Sequence, residues 1–185
     1  WMAARVVTEL QQSIARRLDA LQPVVVSFGK VDGGRAFNVI ADQVRLLGTV
    51  RCLDLVQHEQ LPGWIEETVQ GICASCGGSA EVQYRTIAPP VHNGRALTDL
   101  LERCAIECLG PDQVRPVEQP SLGAEDFAEL LRDVPGMMVR LGVAGPQGCA
   151  PLHNGHFALD ERALGVGIEV LASTLLAWSE DHAEP

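Results

Sequence analysis

The chain has 185 residues, 46% of them hydrophobic, with 14 basic against 24 acidic side chains and a formal charge of −10 at pH 7. That is enough apolar side chain for a real core, which excludes a disordered tail. An acidic chain with no basic stripe repels phosphate backbones, which excludes nucleic acid as a partner. No apolar run approaches the length of a bilayer span, so no membrane association is expected.

In chain order, Val7, Leu10, Ile14, Leu18 and Leu21 recur at three- and four-residue steps, one apolar face of a helix over about residues 3–20. Pro23 ends it. Val24–Gly29 reads as a strand, and Asp32-Gly33-Gly34 as a turn. Asn38-Val39-Ile40 opens a long second strand, with Val44, Leu46, Gly48, Val50 and Cys52 on one side. Leu61-Pro62 starts the next helix, with proline tolerated in the first turn. Its buried stripe is Leu61, Ile65, Val69, Ile72 and Cys76, and Gly77-Gly78 stops it. Ala80, Val82 and Tyr84 alternate with Glu81, Gln83 and Arg85 in a third strand. Helix–strand–strand–helix–strand is a ferredoxin-like α/β sandwich lacking its first strand. With Trp1 ahead of Met2, this suggests a cut inside a longer protein. The same start shows no basic stretch leading into an apolar one, so no signal peptide is expected.

Pro89-Pro90 closes this unit. Beyond it, residues 95–109 form a helix through Leu97, Leu100, Leu101, Cys104 and Cys108, ended by Gly110-Pro111. Val114–Val117 and Met138–Leu141 look like short buried strands, with a short helix around Glu125–Leu131 between them. A last helix from about Asp160 to Trp178 is expected to bury Leu164, Ile168, Leu171, Leu175 and Trp178. Strands alternating with helices indicate a sheet covered by helices, an α/β class. The acid concentrates here. Residues 91–185 carry six basic and fifteen acidic side chains, against eight and nine in residues 1–90.

The six cysteines, in a core-rich chain without a signal peptide, read as reduced thiols of a cytoplasmic protein. Cys73-Ala74-Ser75-Cys76 supplies two metal ligands, not four, and sits at the end of a helix rather than its start. A zinc ribbon or thioredoxin-like motif is therefore disfavoured against two semi-buried thiols. Leu152-His153-Asn154-Gly155-His156-Phe157 follows a Gly/Pro-rich loop. Two histidines there are an incomplete metal site, and taken alone the motif reads as a surface loop slightly ahead of a ligand pair. Ser121-Leu122-Gly123-Ala124-Glu125-Asp126-Phe127 runs a small-residue loop into two carboxylates at a helix start. That is either charge complementarity to the helix or a loop whose N–H groups face an anion. Asn38 is a poor strand former before an apolar run, and its carboxamide can donate hydrogen bonds to an oxyanion.

These pieces occur in the order found in one family. Phe28-Gly29-Lys30, Gly33 to Asp42 and Leu47-Gly48-Thr49-Val50-Arg51 resemble the lid segment of the metal-dependent N-acyl-amino-acid amidohydrolases, the hippurate and indole-acetyl-amino-acid hydrolases and the aminoacylase/carboxypeptidase type. Ser121–Phe127 resembles their glycine–acid–acid–aromatic motif. Pro135-Gly136 and Arg140-Leu141-Gly142 resemble the strand after it. Leu152-His153, with Phe157 and Asp160-Glu161, resembles their C-terminal metal-ligand segment. The resemblance implies a lid and dimerisation domain over residues 1–90, and the C-terminal half of a metallopeptidase-like catalytic domain over 91–185. It implies His153 as the last ligand of a two-metal site, zinc or manganese, and Asn38 as an oxyanion donor, in a partner subunit's site. Arg51, Gly123, Glu125 and Asp126 would lie on the substrate side, His156 would be a spectator, and the substrate would be an N-acyl amino acid. The family's other metal ligands and glutamate base have no counterpart here. The implied polypeptide is a truncated enzyme, inactive alone, binding no metal tightly, and homodimeric through the lid. The competing reading is a non-catalytic dimerisation or small-molecule-binding module that kept the fold.

Overall fold

The computed structural model describes residues 1–19 and 21–182; Ala20, the last residue of the expected first helix, and residues 183–185 of the expected second domain lie outside it. The chain divides into two compact units. One comprises residues 1–91 with 120–129, the other residues 92–119 with 130–185.

In the first unit, helix α1 spans Met2–Arg17 and strand β1 spans Val24–Gly33. Strand β2 follows at Val44–Cys52, and helix α2 at Leu55–Ser75. β1 and β2 form a two-stranded antiparallel sheet, from Val24 opposite Cys52 to Gly33 opposite Val44, with a bulge between Phe28 and Lys30. The close approach of the strands requires glycine at position 48, because a Cβ there would lie 2.4 Å from the Ser27 carbonyl oxygen. Helices cover one face of the sheet. Leu10 of α1, Val26 of β1 and Ile65 of α2 form one buried cluster; Val6, Ile72 and Cys73 form another.

Several sequence expectations are corrected here. β1 runs on through Asp32 and Gly33, expected as a turn, because both pair with β2. Asn38-Val39-Ile40 does not open β2. Residues 34–43 are a connecting loop in which Val39 and Ile40 are exposed, so their apolar run has no layer to pack against. Leu21 lies beyond α1 and is exposed. α2 begins six residues before Leu61. The Asp54 carboxylate accepts the Gln57 N–H at 2.8 Å, a side-chain cap that sets the start, and Pro62 lies inside the helix. Such a proline removes one helical donor and costs roughly 3 kcal/mol. Burial of Leu61 and Ile65 on either side offsets it. Residues 80–85 keep the expected alternation, with Ala80, Val82 and Tyr84 packed on the two clusters. They form no strand, because a strand needs a ladder and none of the described residues pairs with them.

The second unit is built on α3, Arg95–Leu109, packed against the long last helix α5, Arg162–Asp181. Leu101, Ala105 and Val170 form its buried cluster. Asn93 ties this unit's start to Met138, accepting its N–H and donating to its carbonyl, both at 2.9 Å. Short helix α4 spans Phe127–Leu130. Val114–Val117 and Met138–Leu141 are not strands, and Val117, Val139 and Leu141 are exposed. The expected core stripe of α5 is also overturned. Leu164, Ile168, Leu171, Leu175 and Trp178 are 44–69% exposed, because α5 meets α3 through Val170 and Ser173 instead. By length and composition alone α5 would suffice to cross a membrane, which the sequence reading had excluded.

Leu10 is 2% exposed at the junction of α1, the sheet and α2. Leu10→Ala is expected to lower the unfolding free energy by about 2–5 kcal/mol in urea titration. Gln57 is buried, and its Oε1 has no hydrogen-bond partner among the described residues. An unsatisfied buried acceptor costs about 1–3 kcal/mol, so Gln57→Met is expected to raise the urea midpoint rather than lower it.

Candidate functional site

Arg51 projects from the last turn of β2, and its Nη1 donates to the Leu122 carbonyl at 2.6 Å. This draws the loop containing Gly123, Glu125 and Asp126 onto the base of the hairpin. Within that loop the Gly123 N–H donates to Ser121 Oγ at 3.0 Å, and the Phe127 N–H to the Glu125 carboxylate at 3.3 Å. Glu125 thus caps the start of α4, while Asp126 is exposed. The structure ties Arg51 to Leu122, the neighbour of Gly123, with Glu125 and Asp126 further along the same loop. The guanidinium acts on a backbone carbonyl, which makes it a tether for the loop.

Asn38 is at the other end of the same hairpin, exposed in a turn between Gly33 and Val44. Arg51 pairs with Val25, and seven residues along β2 Val44 pairs with Gly33. At roughly 3.4 Å per residue the two ends are about 24 Å apart. Asn38 and the Arg51 loop of one copy therefore cannot meet around one substrate bond. The tip also carries Phe37 and Ile40, almost fully exposed, and an open groove of about 440 Å³ lined by Val39 and Ile40 but not by Phe37.

His153 sits in the second unit, in a loop closed at its base twice. The Asp160 N–H donates to the Val143 carbonyl at 2.9 Å, and the Cys149 thiol to the Ala158 carbonyl at 3.0 Å. Asp160 is held by Arg162, which donates through Nε at 2.9 Å and through its backbone N–H at 3.1 Å. The guanidinium holds the Asp160 carboxyl down at about 2, against an ordinary 3.8. At the tip, His153 has φ 66°, the one positive value at a non-glycine among the described residues. Such a backbone costs about 1–3 kcal/mol, and histidine adopts it more readily than most residues. His156 is exposed beside it, its N–H bound to Asn154 Oδ1 at 2.9 Å.

Among the described residues no three His, Cys, Asp or Glu side chains converge to hold a metal ion. His153 is one exposed donor, and a zinc site takes at least three protein ligands. The residues present therefore do not fit a metal pair by themselves.

Residues 2–177 match the peptidase family M20/M25/M40. The chain belongs to that family. It is 47% identical over 180 residues to a protein of Synechocystis sp. named as a probable hydrolase, covering 96% of this chain and 45% of that protein. It is 35% identical to an N-acetyldiaminopimelate deacetylase of Geobacillus sp., covering 97% and 46%. Among solved structures it resembles the Bacillus subtilis YXEP protein, a dinuclear metal-binding peptidase of the M20 family. The TM-score is 0.81 at 29% identity, over 97% of this chain and 45% of that one. The M20 chain thus spans a little under half the length of the relatives it matches. The family assignment and the mixed α/β fold stand as the resemblance implied.

Sequence reasoning missed the Asp160–Arg162 pair and the Arg51–Leu122 tether. An aspartate two residues before an arginine at a helix start was a signal for the first. The second joins residues 71 apart and left none. Because the folded value of Asp160 is depressed, its tie to Arg162 is fully present above pH 4 and is lost as pH falls from about 4 towards 2. An NMR titration of the Asp160 carboxyl carbon is expected to give a midpoint near 2; a midpoint near 4 would show that the pair does not form in solution.

Proposed function

We propose that this chain is part of a longer protein that hydrolyses the amide bond of N-acyl amino acids with the help of two divalent metals, zinc or manganese. The observation that carries this is the family match over residues 2–177, with 35% identity to a named deacetylase and the likeness to a dinuclear metal-binding peptidase. Residues 1–90 serve as the lid and dimerisation domain, and 91–185 as the C-terminal half of the catalytic domain. His153 supplies one metal ligand, held ready by its strained backbone. The remaining donors belong to the half of the relatives' length that this chain does not span, so the chain alone is inactive and binds no metal tightly.

Asn38 donates its carboxamide N–H groups to the oxyanion on the scissile carbonyl in the partner subunit of a homodimer. The length of the hairpin supports this assignment in trans, since Asn38 cannot share a site with the Arg51 loop of its own copy. Arg51 positions the Gly123–Asp126 loop on the substrate side. All six cysteines are free thiols, in keeping with a reducing cytoplasm.

The test compares the 185-residue chain with the full-length protein on a panel of N-acetyl amino acids, with metal content by elemental analysis. The full-length protein is expected to carry about two metals and to turn over, and the short chain to do neither. In the full-length protein Asn38→Ala is expected to lower kcat about 100- to 1000-fold with little change in KM, as loss of an oxyanion donor does. Amidase activity of the short chain at the full-length level would refute the truncation reading. A metal-free, inactive full-length protein would favour the non-catalytic module.

A further inference from the structure

The Cys73–Cys76 pair takes no part in the site above, and its surroundings are unlike those of the other thiols. Cys73 is 4% exposed, packed with Val6 and Ile72 where α1 meets α2. Cys76 is half-buried at the C-cap of α2, and its N–H donates to the Cys73 carbonyl at 3.0 Å. Three helical steps place the two Cα atoms roughly 5 Å apart, on one face of the helix. A disulfide spans Cα separations of about 4.4–6.8 Å. Gly77, at φ 74°, and Gly78 follow directly, and their N–H groups donate to the Ala74 and Cys73 carbonyls at 3.0 Å, which closes the helix end around the pair.

A cation also sits on the half-exposed sulfur. Arg5 Nη1 donates to Cys76 Sγ at 2.9 Å and to Ser75 Oγ at 3.2 Å, while its Nε is held by Glu9 one turn along α1. A guanidinium against a half-exposed sulfur is the electropositive setting in which reactive cysteines are found. Burial pushes the Cys73 thiol up. Cys76 is half-exposed with a guanidinium on its sulfur, and Cys73 is buried one helical turn behind it.

We propose that Cys73 and Cys76 are a reversible modification site for low-molecular-weight disulfides, with Cys76 as the attacking sulfur, Cys73 as the resolving one and Arg5 as the positioning cation. In the first step the Cys76 thiolate attacks one sulfur of the small disulfide. That S–S bond breaks, one half leaves as a thiolate and takes a proton from water, and a mixed disulfide remains on Cys76. Cys73 then gives its proton to solvent and attacks Cys76 Sγ, expelling the second half. Two cysteine thiols are oxidised to one disulfide and the small disulfide is reduced to two thiols. Closing the bridge draws the Cys73 sulfur out of the Val6–Ile72 cluster, so oxidation acts on the α1–α2 seam.

The test uses the 185-residue chain with glutathione disulfide at pH 7, quenched by alkylation, with intact mass and peptide mapping over time. The expected product has lost two hydrogens and carries one bridge, between Cys73 and Cys76. Cys76→Ser abolishes it, and Cys73→Ser stops at the mixed disulfide on position 76. Arg5→Ala is expected to slow modification of Cys76 about 3- to 10-fold, as loss of the cation beside a reactive sulfur does, and Arg5→Lys to restore most of the rate. Circular dichroism checks that each variant is folded; should Cys73→Ser not fold, the map of the wild-type bridge and the Arg5 rates decide. A Cys76 that stays reduced or reacts no faster than Cys52 and Cys149 overturns the proposal. So does a wild-type chain that halts at the mixed disulfide, or a rate indifferent to Arg5.

Discussion

The backbone register of the β1–β2 hairpin is the constraint on which the rest of the first unit depends. Its paired residues run from Val24–Cys52 at the base to Gly33–Val44 at the tip. Gly48 permits the close approach to the Ser27 carbonyl along the way. The face carrying Val26, Phe28 and Val50 is clamped under α1 and α2. A ladder so packed cannot slip by one residue without turning its apolar side chains outward. The tip and base are therefore held apart as though by a rod. Asn38 rides on one end, and Arg51 with the loop it tethers on the other.

The second unit solves a different problem, the presentation of one imidazole from a loop. Two ties close the loop, Val143 to Asp160 and Cys149 to Ala158. The Asp160–Arg162 pair anchors its end at the start of α5. His153 then adopts a left-handed backbone that the closed loop enforces. Meanwhile α5 meets α3 through small side chains and leaves its leucine stripe exposed. The unit thus has an ordered metal-ligand candidate and a wide uncovered apolar face, which is consistent with a chain spanning less than half of its relatives.

The thiols show how position within one helix changes chemistry. Cys104 and Cys108 on α3 have Ser173 as their neighbour, and their sulfurs donate to neutral oxygens. Cys76 instead accepts from a guanidinium, at a point where the helix has just ended and two glycines follow. Spacing alone suggested two inert helix thiols. It is Arg5, about 70 residues away in sequence, that separates this pair from the others.

Much of the architecture was legible from local pattern. The period of apolar residues marked α1, α3 and α5, and alternation marked the inward faces of β2 and residues 80–84, because those periods follow from backbone geometry alone. The ordered motifs likewise sufficed to assign the family. The sequence could not show that α2 starts at Asp54 through a side-chain cap, that Pro62 is tolerated inside a helix beside a buried Leu61, or that residues 80–85 lack a ladder partner. Nor could it show which face of α5 is covered, since Leu and Ala stripes on an apolar helix compete equally until a neighbour chooses between them. The tether from Arg51 to Leu122, the cation on Cys76 and the strained backbone of His153 all depend on groups brought together from distant positions. Periodicity reports what a residue would prefer to face; only the tertiary structure decides what is there to be faced.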